Sequence, residues 1–250
     1  MEAVHVGGYP TQTWPTESPK MLFSRSTPRL ILFALLCASF APSASRADTT
    51  QKATAQPQTQ SRPTSDPYTG DLSIFEYKDR DKKLQIDRVM DLLGITNGKA
   101  VADIGAGSGW FAALASKRVG MGGVVYAEDI NPAAINYIGR RVKKEELHNV
   151  EPILGTPDDP KLPPESVNAV LILKTYHEIA NPIALMKNLR PALISGGRVG
   201  IIDKNGNGTD HGIMPNVIEH EMAQAGFKRV AKYDFTKADG EDYFLIFTRK

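Results

Sequence analysis

The chain is poor in cysteine, in net charge and in long apolar runs, and each shortage closes off a class of protein. Its one cysteine, Cys37, falls in a segment that reads as removable, so the mature domain carries no disulfide framework and no thiol nucleophile. The formal charge of +2 gives no electrostatic case for a nucleic-acid or membrane-surface partner, and none is expected. The densest basic run, Arg140-Arg141-Val142-Lys143-Lys144, is followed at once by Glu145-Glu146, the pattern of a solvated helix face. The longest apolar run, from Leu30 to Phe40, is shorter than the roughly twenty residues that span a bilayer. No group of His, Asp or Glu has metal-site spacing along the chain, so no metal is expected. There are no internal repeats. With 41% hydrophobic residues in 250, the chain can bury one substantial core and hardly two.

The N-terminal part is a different material. Residues 1–20 are rich in Pro, Thr and Gly without apolar period and read as an extension ahead of a start at Met21. Arg25 and Arg29, the apolar run Leu30 to Phe40, and the small-x-small site Ser45-Arg46-Ala47 then follow in order. These are the three parts of a secretory signal over 21–47, so cleavage before Asp48 and export are expected, with no stable membrane insertion afterwards. Leu36 is too large to precede a lipid-modified Cys37. Residues 48–67, mostly Thr, Gln, Ser and Pro, read as a disordered linker. The folded domain is expected over 68–250.

What that domain does have is Val101-Ala102-Asp103-Ile104-Gly105-Ala106-Gly107-Ser108-Gly109-Trp110-Phe111, a strand running into a glycine-rich turn. Alternate glycines let a backbone pass close to a ligand, because they accept positive φ and carry no Cβ. The turn then opens a helix, whose free N–H groups suit a carboxylate or phosphate. Val124 to Ala127 reads as a second strand ending in Glu128-Asp129, where a nucleotide-binding βαβ unit holds ribose hydroxyls. A third strand at Val150 to Gly155 leads to Asp158-Asp159. A fourth, Val167 to Leu173, ends in Lys174-Thr175-Tyr176-His177-Glu178, and Gly196-Gly197 precede a fifth, Arg198 to Asp203.

Competing motifs fit less well. The dinucleotide fingerprint would need Gly or Ala where Trp110 stands, and no Gly-Lys-Ser/Thr phosphate loop exists. The pattern Asp-x-Gly-x-Gly-x-Gly, the acid ending strand two and the Leu189-Arg190-Pro191…Gly196-Gly197 element together resemble the class I S-adenosylmethionine-dependent methyltransferases. The resemblance covers roughly residues 75–250. Thr156-Pro157-Asp158-Asp159-Pro160-Lys161-Leu162-Pro163 and Thr175-Tyr176-His177-Glu178 look most like a bacterial group of predicted, often exported methyltransferases.

The resemblance implies an α/β, Rossmann-like, seven-stranded mixed sheet in one domain, parallel but for an antiparallel C-terminal strand, with helices on both faces. It implies S-adenosylmethionine as cofactor and a small molecule as methyl acceptor. Gly105, Ala106, Gly107 and Gly109 would cradle the cofactor's amino-acid end with Asp103 near its amine. Asp129 would accept the ribose hydroxyls, Ile130 would pack on adenine and Asp158 would accept from its amino group. Glu128 competes with Asp129, although alternation along a strand should turn the two acids opposite ways. Asp158-Asp159 also fit plain turn residues between prolines. Asn168 stands where the resemblance expects Asp.

His177 is a candidate general base, its ordinary pKa of about 6.5 suiting proton removal near neutrality, with Tyr176 beside it at the substrate. The competing reading is a capping box, Thr175-x-x-Glu178. Arg80 reads by default as a charged helix start and His211 as an exposed loop residue. The lack of cysteine excludes thiol-dependent arsenic methylation. A non-catalytic binder of S-adenosylmethionine or S-adenosylhomocysteine, and a nicotinamide-dependent reductase, remain as alternatives.

Overall fold

Strand order follows from where each strand finds a partner that buries both of its faces. In the computed structural model, which describes residues 62–250, seven strands form one sheet in the order β3-β2-β1-β4-β5-β7-β6. They are β1 (Ala100–Ile104), β2 (Val124–Asp129), β3 (Val150–Leu154), β4 (Val167–Leu173), β5 (Leu193–Asp203), β6 (Phe227–Tyr233) and β7 (Tyr243–Arg249). Pairings β2–β3, β1–β2, β1–β4 and β4–β5 are parallel, and β7 runs antiparallel to both β5 and β6. The expected sheet is therefore present. The extension 1–20, the leader 21–47 and linker residues 48–61 lie outside the described residues.

Among the described residues six α-helices cover the sheet: α1 (Arg80–Leu84), α2 (Ile86–Leu93), α3 (Trp110–Val119), α4 (Pro132–Lys144), α5 (Pro182–Leu189) and α6 (Pro215–Gln224). The i, i+3, i+4, i+7 set Ile86, Val89, Met90 and Leu93 is buried on α2, and Gly94 ends that helix in left-handed conformation. Asn131 caps α4 by accepting from the Ala133 N–H at 2.9 Å. Asn181 precedes Pro182 at the start of α5 but makes no side-chain cap.

The apolar run of β4 has no polar face because it is covered twice. Ala169 and Leu171 join a core with α2, α3 and α4, whereas Val170 and Ile172 join a second core with α5 and α6. Asn168 interrupts that run and accepts from the Ala100 N–H at 2.8 Å, tying β4 to the start of β1.

The expected linker gives way to the domain earlier than residue 68. Ser65 donates to the Gly208 carbonyl at 2.9 Å and accepts from the His211 N–H at 2.9 Å. Arg62 pairs with Glu221 at 2.9 Å and donates to the Tyr176 carbonyl at 2.6 Å. Polar anchoring of this kind leaves no hydrophobic period to read in the sequence.

Candidate active site

The order of strands reverses between β1 and β4, and a crevice opens there because their crossovers leave to opposite faces of the sheet. A cavity of about 340 Å³ occupies the carboxyl ends of β1, β2 and β4, within the range of small-molecule sites. Its floor is the glycine turn. Gly105, Gly107 and Gly109 have φ of 70°, 54° and 70°, which side chains with a Cβ rarely adopt. A Cβ on Gly105 would stand 2.3 Å from Thr175 Cγ2, so the turns after β1 and β4 close on each other only with glycine. Ala106 and Ser108 complete the floor, and no side chain caps the first turn of α3.

Acids line one wall. Asp129 accepts from the Gly107 N–H at 2.9 Å and the Asn131 N–H at 2.8 Å, one bond per oxygen. Each oxygen keeps a lone pair for a further donor. Glu128 is buried, accepts weakly from the Gly105 N–H at 3.4 Å, and leaves Oε1 without a partner. The two acids thus share the cavity, against the expectation that they face apart. β2 ends at this point, and the chain turns before strand alternation can separate them. Asp103 is also buried and its Oδ2 is unpartnered.

Burial pushes Asp103 up to about 7 and Glu128 up to about 8. The Arg80 guanidinium opposes the first shift, and the neighbouring Asp129 carboxylate adds to the second. Asp129 is raised by burial too, against the pull of its backbone donors.

Arg80 departs from its default reading. It is buried, lines the cavity and lies over the Trp110 ring at 4.2 Å, with Nε unpartnered. Ile130 is 43% exposed and lines the cavity beside Thr156 and Pro157, an open apolar surface for a flat ring. Asp158 does not reach it. The Thr156–Asp159 bridge closes a tight turn that leaves Asp158 exposed, and its only hydrogen bond within that loop's surroundings runs from Asn188 Nδ2 to its backbone carbonyl at 2.7 Å. Asp158, expected at the adenine, is outside the cavity lining, whereas Thr156 and Pro157 are in it.

Tyr176 and His177 are corrected as well. Residues Tyr176–Glu178 form a 3-10 turn, in which positions three apart eclipse. Thr175 and Glu178 therefore share the cavity wall, and the two residues between them turn inward. The Tyr176 ring is fully buried in the core shared with α5 and α6, stacked 5.5 Å from Arg62. Burial and the nearby Glu221 carboxylate hold its phenol well above the ordinary range. His177 is buried with Nδ1 at 2.9 Å from Asp203 Oδ1. Glu178, which sequence reasoning offered only as a cap, is raised to about 7 by burial while His177 pulls the other way. The i, i+3 spacing of Thr175 and Glu178 was the available signal. A reductase-like Tyr-x-x-x-Lys spacing occurs at Tyr233 and Lys237, and neither lines the cavity.

Four residues of the cavity lining, Arg80, Asp103, Ser108 and Glu128, each carry a buried side-chain polar atom without a partner. Buried polar atoms without partners are rare and call for a ligand or water. An amino acid end, vicinal hydroxyls and a flat base would engage the glycine floor with Asp103 and Arg80, the acids of β2, and Ile130 respectively. S-adenosylmethionine has these three parts, and the residues present fit it.

The comparisons with known proteins agree with the geometry. Residues 101–197 match the family model described as a methyltransferase domain. An arsenite methyltransferase from Halobacterium salinarum is 32% identical over 106 residues, 42% of this chain and 27% of that protein. The chain spans less than half the length of the curated relatives it matches. A S-adenosylmethionine-dependent methyltransferase from Aquifex aeolicus superposes with a TM-score of 0.64 at 23% identity, covering 72% of this chain and 98% of that one. Geranyl diphosphate C-methyltransferase from Streptomyces coelicolor, solved with Mg2+, geranyl diphosphate and S-adenosyl-L-homocysteine, superposes at 0.55 with 17% identity, covering 76% and 91%. Residues 101–197 thus match a methyltransferase-domain model, and the described chain has the fold of these S-adenosylmethionine-dependent methyltransferases.

Proposed function

We propose that this protein is an enzyme that transfers a methyl group from S-adenosylmethionine to a small-molecule acceptor. The observation that carries the reading is the cavity at the carboxyl ends of β1, β2 and β4, with its glycine floor and the buried polar residues Arg80, Asp103 and Glu128 in its lining. The cofactor supplies an activated methyl on a sulfonium, so the chain's own work is alignment and exclusion of water. Asp103 and Arg80 hold the amino and carboxylate ends, Asp129 and Glu128 accept the ribose hydroxyls, and Ile130 with Pro157 covers the base. Leu72, Phe75 and Trp110 close an apolar wall that keeps the reacting centre dry. Thr175 and Glu178 stand at the wall formed by the loop after β4 and face the acceptor.

Non-catalytic binding remains the second reading, favoured by the inward turn of both Tyr176 and His177. The deciding experiment is calorimetric titration of the chain with S-adenosylmethionine and, separately, NADH, followed by an acceptor screen. Micromolar binding of the first alone, lost in Asp129→Ala, supports the cofactor site. Turnover with any acceptor then separates enzyme from binder, and binding of NADH alone would sink the proposal. Export after cleavage before Asp48 is part of the same proposal. N-terminal sequencing of the mature protein should start at Asp48, and any residue from 1–20 there overturns it.

A further inference from the structure

Three ligand-type side chains from two loops converge beside the cavity. His177, Glu178 and His211 each offer one atom, and these atoms all lie within 4.8 Å of one another. His177 Nε2 is 3.9 Å from Glu178 Oε1. The two imidazoles stand edge to face with centroids 5.8 Å apart. On its other side, His177 Nδ1 is 2.9 and 3.0 Å from the two Asp203 oxygens. A carboxylate can only accept there, so Nδ1 carries the proton and Nε2 presents its lone pair to the cluster. A carboxylate behind the imidazole is the usual outer partner of a metal-bound histidine.

The supporting groups are themselves fixed. Asp203 also accepts from the backbone N–H groups of His177 at 3.2 Å and Lys204 at 2.9 Å. His211 is held by its N–H to Ser65 Oγ, which in turn donates to Gly208. Glu178 and Ser65 also line the cavity, so the cluster adjoins the space for an acceptor.

We propose that His177, Glu178 and His211 bind one divalent transition-metal ion of the zinc type. Two imidazole nitrogens and one carboxylate oxygen suit zinc and leave a fourth position open. An oxygen of the acceptor takes that position, which holds the acceptor in place beside the cofactor cavity. This use of the ion rests on the methyltransferase reading, but metal binding itself does not. Spacing along the chain hides the cluster, because residues 177–178 and 211 meet only where β4 and β5 lie side by side.

The test uses the full chain, stripped with chelator and titrated calorimetrically with Zn2+ alone in a buffer that does not bind it. One equivalent is expected. His211→Ala, at an exposed position, should weaken binding at least about 100-fold, and Asp203→Asn about 10- to 100-fold. The exposed-histidine variant His148→Ala should bind as the parent does. Circular dichroism confirms that each variant is folded. Co2+ in place of Zn2+ should give the visible absorption of a four-coordinate site, lost in His211→Ala. Absence of binding, or equal affinity in parent and His211→Ala, overturns the site. Zinc failure with S-adenosylmethionine binding intact removes the metal alone. Zinc binding without S-adenosylmethionine binding removes the acceptor role and keeps the ion.

Discussion

Asp103, Glu128 and Asp129 place three carboxyls on one cavity wall, and their protonation couples the fold to its ligand. Asp103 and Glu128 titrate near 7 and 8 because burial penalises the charged forms. Each binds more protons in the fold than in the unfolded chain between about pH 4 and its raised value. Stability of the ligand-free protein therefore falls as pH rises through that window, and the loss is complete above about pH 8. Urea denaturation at pH 5 and pH 8.5 should show the higher midpoint at pH 5. A cationic cofactor favours the ionised carboxylates, so its binding at pH 7 should release protons and tighten as pH rises. Calorimetry in two buffers of different ionisation enthalpy reads that release directly, and identical heats would contradict it. At the same scale, Gly105→Ala puts a methyl against Thr175 in a left-handed backbone. It should cost about 1–3 kcal/mol in chemical denaturation and abolish cofactor binding. Glycines and strand-end acids were legible in the sequence because backbone geometry demands them. The orientation of Tyr176 and His177 was not, since a 3-10 turn and not a loop sets which of four consecutive side chains faces the cavity.

At the level of elements, the segment before α1 belongs to the site. Thr64, Ser65, Asp66 and Pro67 line the cavity together with Tyr68, Leu72 and Phe75. A chain beginning at Tyr68 should melt lower and bind S-adenosylmethionine about tenfold more weakly than one beginning at Asp48, as read by thermal denaturation and calorimetry. Equal affinities would show that residues 62–67 are mere packing. Arg62→Ala leaves the Glu221 carboxylate, only 10% exposed, without its partner. It should destabilise by about 1–3 kcal/mol. Helices α2, α3 and α4 were readable from apolar period, caps and flanking glycines. This segment was not, because its anchors are an ion pair and hydrogen bonds formed with residues more than a hundred positions away.

For the molecule as a whole, the ligand should act as a missing part of the core's polar lining. At a hundred times its dissociation constant, a ligand adds about 2.7 kcal/mol. For a domain of this size that corresponds to a rise in Tm of about 5–10 °C, and differential scanning fluorimetry against NADH as control checks it. The sheet order was legible because βαβ units with short turns admit few topologies. The placement of β7 has a consequence of another kind. Among the described residues β6 pairs with β7 alone, and β5 meets β7 on its outer edge. A growing chain that has made β1 to β6 thus holds Val199–Asp203 as a bare apolar edge, open to pairing with any neighbour. Only the arrival of Tyr243–Phe247 seals it, which makes the closing step of folding also the moment at which the molecule ceases to be adhesive.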